Sequence, residues 1–229
     1  MRVLRHPRID QDIEINHDVI YNLIVENPEW LRKVLYALES QIVDKEEFFI
    51  FQEGVKQLDL SKKAFMVWNP LKIEFDEKKL DVVIQKDVAT HITEEQREKY
   101  QLLLQAVNEY IESLSYSYPF PLTFASDLGL QSFLKSVSLT PIEESEDFLE
   151  RLIFRIRKVS YGFGYDIFFF LNLHDYLNEE EMNKFLKEMV SLELYPVLIS
   201  SHTPKYKIDK EFCILIDDDL CELHIENQN

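Results

Sequence analysis

Glycine is scarce in this chain, with four residues in 229. A phosphate-cradling loop uses glycines so that backbone N–H groups can close on the anion, with Lys and Ser/Thr beside them. After the first apolar run the sequence reads NLIVENPEWLRKV, with no glycine and no Gly-Lys pair. Cysteine is scarcer still. Cys213 and Cys221 have no further Cys partner and no metal-ligand spacing, which argues against a zinc site or a disulfide-stapled secreted fold. They read as small core residues flanking a turn. No stretch approaches the roughly 20 apolar residues a membrane span needs. The opening MRVLRHPRIDQD lacks the apolar core of a signal peptide, so the expected location is the cytoplasm.

Positive charge is also short. Lys and Arg number 25 against 42 Asp and Glu, a formal net charge of −17. The deficit is uneven, −4 over 1–90 and −13 over 91–229. Acidity of this size opposes nucleic-acid binding unless the cations are segregated onto one face. The six histidines are dispersed and make no HxH or HExxH pattern.

What is present is a strong α/β pattern. The richest stretch is Tyr165–Ser201. An apolar run from Ile167 to Leu173 precedes an acidic-capped amphipathic segment, and a second apolar run follows at Val197–Ile199. That order predicts strand, helix, strand, with the strands parallel and the crossover right-handed. Short β-rich runs at Val19–Val25, Phe48–Phe51 and Ala64–Trp68 predict further strands. Pro28 opens a helix predicted over Glu29–Ser40. Helical periodicity then dominates from Asp76 to Leu114, with Thr93 and Gln96 spaced as a capping box. A shorter helix is predicted over Ser126–Val137. Another is predicted to start at Thr140-Pro141, with its apolar face from Phe148 to Val159. Phe212–Ile216 and Leu220–Ile225, joined by Asp217-Asp218-Asp219, read as a closing hairpin or a bent strand. The layout is an α/β head from 1–75 and 139–229 around a helical part at 76–138.

Catalytic groups do not assemble from this pattern. Where a magnesium-binding acid follows the Walker B strand of an NTPase, this chain has Asn172, and Asp175 comes three residues late. His174-Asp175 reads as a general acid/base pair or, more simply, as a polar strand-end turn. Ser200-Ser201-His202 lies in a similar loop without a nucleophile elbow. Asp217-Asp218-Asp219 reads as a solvated turn; three successive acids do not converge on one cation.

The basic residues are more suggestive. Lys62, Lys63, Lys72, Lys78, Lys79 and Lys86 gather where strands give way to the first long helix. Arg151, Arg155 and Lys158 recur at i, i+4 and i+7 on one helix face, with Arg157 nearby. Each set reads either as a phosphate-contacting surface or as a solvated face. For the second set, Glu143, Glu146, Asp147 and Glu150 are the available ion-pair partners.

Three segments, Lys56–Lys86, Phe133–Leu173 and Leu177–Ser201, together resemble the family of small CRISPR-associated accessory proteins of type II-A systems dedicated to spacer acquisition. The resemblance lies in hydrophobic pattern and element order across most of the chain. It implies a degenerate P-loop-NTPase-like α/β head with an inserted or adjoining α-helical domain and no catalysis. It also implies a homotetrameric ring, acidic outside, that threads double-stranded DNA ends through a lysine-lined hole without sequence preference. The implied partners are the adaptation integrase complex and the type II effector nuclease. Calcium is implied at acidic residues near the junction of the two parts. Of the matching stretch Leu122–Gly129, Asp127 alone carries over, so the chain departs from the pattern there. On this reading the DNA face comprises Lys62, Lys63, Lys72, Lys78, Lys79 and Lys86, with Arg151, Arg155 and Lys158 second. Two other readings stay open, a nucleotide-binding enzyme that has lost its motifs and an acidic protein-interaction module.

Overall fold

The structure is a computed structural model that describes residues 2–7, 9–16, 19–44, 49–120, 122, 128–206 and 208–225. Phe48, Ser126 and Asp127, which figure in the expectations above, lie outside the described residues. The chain divides into two compact units, 1–75 with 143–229, and 76–142.

The first unit begins with β1 (Arg2–Arg5), β2 (Ile13–Ile15), β3 (Ile20–Val25) and α1 (Pro28–Glu39). Then come β4 (Ile50–Glu53), β5 (Lys56–Gln57) and β6 (Ala64–Val67). Strands β2, β1, β4 and β5 form a small antiparallel sheet.

The second half of this unit brings α5 (Phe148–Phe163), β7 (Ile167–Leu171), α6 (Glu179–Ser191), β8 (Tyr195–Ser200), β9 (Glu211–Ile216) and β10 (Glu222–Ile225). The main sheet runs β10-β9-β3-β8-β7-β6. Its last five strands are parallel, and β10 adds an antiparallel edge. The expected strand–helix–strand unit is β7–α6–β8, with Phe169 opposite Val197.

Strand periodicity explains why so many Phe residues coexist there. Phe169, with Leu23, Val25, Val197 and Ile199, joins Trp30, Val34 and Leu38 of α1 and Leu4, Ile13 and Phe51 of the small sheet in one core. Phe168 and Phe170 point to the other face, against Leu152 and Ile156 of α5 and Met182 and Phe185 of α6. Burying each such ring stabilises the fold by about 1.5–3 kcal/mol. Gly164 ends α5 at φ 75°, a left-handed C-cap that suits glycine.

The second unit holds α2 (Glu77–His91), α3 (Glu94–Ser115) and α4 (Leu130–Ser136). Thr93 and Gln96 form the capping box anticipated for α3. The Gln96 N–H donates to Thr93 Oγ1 at 3.2 Å, and the Thr93 N–H donates to Gln96 Oε1 at 2.7 Å. This unit runs to Ile142, past the expected 138, for a visible reason. Gln85 Nε2 donates to the Leu139 carbonyl at 2.9 Å, and Thr140 Oγ1 donates to Asp81 Oδ1 at 2.8 Å. Thr140 therefore serves α2 and does not open a helix. The helix expected there starts at Phe148 instead, capped by Asp147.

Candidate nucleic-acid interface

The α2 helix follows from its ends inward. Asp76 caps it, its Oδ1 accepting the Lys79 N–H at 3.0 Å. Leu80 and Gln85 turn inward and are buried. Lys78, Lys79, Val82 and Lys86 sit at i, i+1, i+4 and i+8, and all four are exposed. A helix turning 3.6 residues per turn places these positions within one third of its circumference. Among the described residues Lys78 and Lys86 make no ion pair. This is a lysine stripe on solvent.

The lysines of the first unit are placed differently. Lys62 Nζ lies 3.1 Å from Asp59 Oδ2. Hydrogen bonds from the Ser61 side chain, then from Lys62, hold the Asp59 carboxyl below its ordinary range. Lys63 reaches Asp166 Oδ2 at 3.8 Å, a carboxylate already engaged by Arg2 at 2.7 Å. The Lys63 carbonyl also accepts the N–H groups of Asp166 and Ile167, which sets the start of β7. Lys72 pairs with exposed Glu74.

The α5 set is spent inside its own unit. Arg151 and Arg155 both donate to the Glu143 carboxylate, Arg155 at 2.9 Å. These bonds, that from Arg155 first, hold the Glu143 carboxyl below its ordinary range. Lys158 lies over the rings of Phe75 at 5.4 Å and Phe154 at 5.7 Å. Arg157 reaches Glu188 at 3.9 Å.

At the start of α1, where a phosphate loop would lie, the backbone donors are already taken. At the end of β3, Asn27 Oδ1 accepts the N–H groups of Glu29 and Trp30 at 3.1 and 2.9 Å. Pro28 has no N–H to offer. Asn27 Nδ2 donates to the Asp218 carbonyl at 3.0 Å, which brings the Asp217–Asp219 turn to the same helix start. The donors that would meet a phosphate are used by the chain's own cap, beside carboxylates.

Asn172 stands at the end of β7 in the left-handed region, φ 51°. Its Oδ1 accepts the Ser201 N–H at 2.8 Å and joins two strand ends. The two polar loops read separately in the sequence meet here. Ser201 Oγ lies 3.0 Å from His202 Nδ1, and His202 Nε2 lies 3.1 Å from Asp175 Oδ1. His202 is 52% exposed and Asp175 47%, so water surrounds a row that a nucleophilic relay would need to keep dry. His174 turns inward beside Glu211 and belongs to the core.

Asp127, the residue the resemblance offers for calcium, lies outside the described residues. Among the described residues no three His, Cys, Asp or Glu side chains group to hold a metal ion. Asp217 Oδ1 already accepts the N–H groups of Asp219 and Cys221, at 3.0 and 2.8 Å. Of the two cysteines flanking this turn, Cys213 is buried, as a core residue should be, but Cys221 is exposed, against the expectation that both are core. Among the described residues no helix is long and apolar enough to cross a membrane.

The family model described as CRISPR-associated protein (Cas_Csn2) matches residues 41–220. The chain belongs to this family. The crystal structure of Stu0660 of Streptococcus thermophilus is similar, with a TM-score of 0.56 and 14% identity. That match covers 98% of this chain and 76% of the other, and at this identity it speaks to the fold alone. An ABC transporter ATP-binding protein from Pyrococcus furiosus matches at a TM-score of 0.41 and 11% identity, over 93% of this chain and 96% of that one. No curated protein matches the chain. For this Csn2-family chain the fold class stands as α/β, with a six-stranded, mostly parallel sheet in the first unit and the helices α2–α4 in the second.

Proposed function

We propose that this Csn2-family protein is a non-catalytic binder of double-stranded DNA ends that works in CRISPR spacer acquisition as a homotetrameric ring. The observation that carries the reading is the α2 stripe, with Lys78, Lys79 and Lys86 exposed on one side of one helix in a chain of net charge −17. Lysines segregated in this way answer the electrostatic objection to DNA. Phosphates meet a local positive stripe while acidic surface elsewhere repels non-specific contact. Point-charge ammonium groups read phosphate and not base edges, so little sequence preference is expected. Repetition of one stripe in four subunits would multiply weak contacts through effective concentration. Lys62, Lys63 and Lys72 contribute second, because each first has to leave a carboxylate. Arg151, Arg155 and Lys158 contribute least. The partners in this reading are the adaptation integrase complex and the type II effector nuclease, in the cytoplasm. The capped start of α1 supports a scaffold role for the head over nucleotide turnover.

The direct test is a gel shift with linear and closed-circular duplex of one sequence at two salt concentrations, beside mass photometry of the free protein. Linear duplex should bind tighter, more weakly as salt rises, to a tetramer. Equal binding of both topologies, or a stable monomer, removes the ring from the reading.

A further inference from the structure

The side of α5 that turns away from Glu143 carries a different surface. Between α5 and α6 lies a groove of about 540 Å³. Buried Leu149 and Ile153, with half-buried Phe154, form its apolar floor. Its rims are acidic, Asp147 at the cap of α5 with Glu150 in its first turn, and Glu181 and Glu188 from α6. Two cations also line it, and each is matched by a carboxylate of its own chain. Arg157 Nη2 lies 3.9 Å from Glu188 Oε2, and Lys184 Nζ lies 2.9 Å from Glu180 Oε1. The groove therefore presents negative charge around an apolar strip.

Its dimensions restrict what fits. Lining positions advance as 150, 153 and 157 on one wall and 181, 184 and 188 on the other. Each wall is thus about two helical turns, roughly 11 Å long. The walls are helix side chains whose backbone groups bond internally, so an extended peptide finds no ladder to join. A third helix lying along the groove needs none, because its own backbone is satisfied. Nucleic acid would set phosphates against a lining in which four carboxylates outnumber two cations.

We propose that this groove docks a short basic amphipathic helix of a protein partner, with its apolar side on Phe154 and its Lys or Arg residues between the two acidic rims. This inference does not depend on the DNA reading and uses a different side of α5.

The test uses the full chain and a fluorescein-labelled 14-residue Leu/Lys peptide with Leu at i, i+3, i+4 and i+7. A scrambled peptide of the same composition and a Leu/Glu counterpart are the controls, all read by fluorescence anisotropy. The amphipathic basic peptide should bind saturably and at least roughly tenfold tighter than the scrambled one, and the acidic peptide should not bind. Glu150→Gln with Glu188→Gln should weaken binding roughly tenfold, and so should Phe154→Ala. Glu150→Gln alone alters one exposed side chain, keeps the wild-type melt and should still weaken binding. A benzophenone at the peptide's central Leu position should crosslink to α5 or α6. Equal binding of the scrambled peptide, wild-type affinity in Glu150→Gln or crosslinks elsewhere would each overturn the proposal.

Discussion

The lysines of α2 and the arginines of α5 have the same sign and similar helical spacing, but they stand in different electrical surroundings. Lys78 and Lys86 face solvent with no carboxylate assigned to them among the described residues. Arg151 and Arg155 converge on one carboxylate, Glu143, whose side chain is 24% exposed. A phosphate approaching α2 displaces water and counterions. The same phosphate approaching α5 has to break two charge-assisted hydrogen bonds and leave a half-covered carboxylate behind. Counting cations along a sequence therefore overstates the α5 face. What matters is the supply of counter-charge in space.

The largest expected effect separates the two helices directly. Replacing Lys78, Lys79 and Lys86 with Ala should lower affinity for linear duplex roughly tenfold or more and reduce the log–log salt slope by about three for each subunit whose stripe touches the duplex. Arg151→Ala with Arg155→Ala should leave affinity within roughly twofold. The reverse result in a gel shift would move the interface to α5. Stability should respond in the opposite sense. The double arginine variant deprives Glu143 of both donors and should lose about 1–3 kcal/mol in urea unfolding. The α2 lysine variant should stay within about 0.5 kcal/mol of wild type. Glu143→Gln sharpens the comparison further. It weakens the hold on the two guanidinium groups and should raise duplex affinity in the gel shift roughly twofold. The smallest effect is a pH dependence. The folded-state Glu143 carboxyl titrates below its ordinary value of 4.5, chiefly because of the Arg155 hydrogen bond. Its contribution is present above that value and is lost as pH falls through the lower folded-state value. Urea midpoints measured downward from pH 6 should therefore drop more for wild type than for Glu143→Gln.

Much of the architecture was readable from sequence because it is written in local periods. The run IFFFL alternates its side chains between two cores, and the chain around it could be read as β7–α6–β8 without other information. The Thr93 and Gln96 box marked the start of α3 in the same way. The errors have a common physical cause. Thr140-Pro141-Ile142-Glu143 has the composition of a helix start, but Thr140 donates to Asp81, 59 positions back, and Glu143 serves the arginines of the following helix. The short strands β1 and β2 carry little periodic signal and exist because they pair with each other and with β4. The site was legible only as composition. Lysine clustering drew attention to α2, but Lys63 beside Asp166 and Arg2 brings together groups more than a hundred residues apart in sequence. A buried constellation was invisible for the same reason. Asn22 Nδ2 donates to Glu211 Oε1 at 2.8 Å and Ser200 Oγ donates to Asn22 Oδ1 at 2.8 Å, so three strands supply one polar cluster in the core. No sequence window contains it.

The two hydrogen bonds that tie Leu139 and Thr140 back to α2 also bear on folding kinetics. Strand β6 has to find β7, and Val67 pairs with Phe170, roughly a hundred residues later. A flexible connection of that length makes the search slow, because closure entropy precedes any reward from pairing. The helical unit lies within that connection and is stitched near its own exit by Gln85 and Asp81. If its largely local contacts form first, they turn a long floppy loop into a short one, and the parallel sheet is then assembled across a shorter effective separation. Loosening the stitch with Gln85→Ala should therefore slow refolding of the head, although no residue of the sheet has changed.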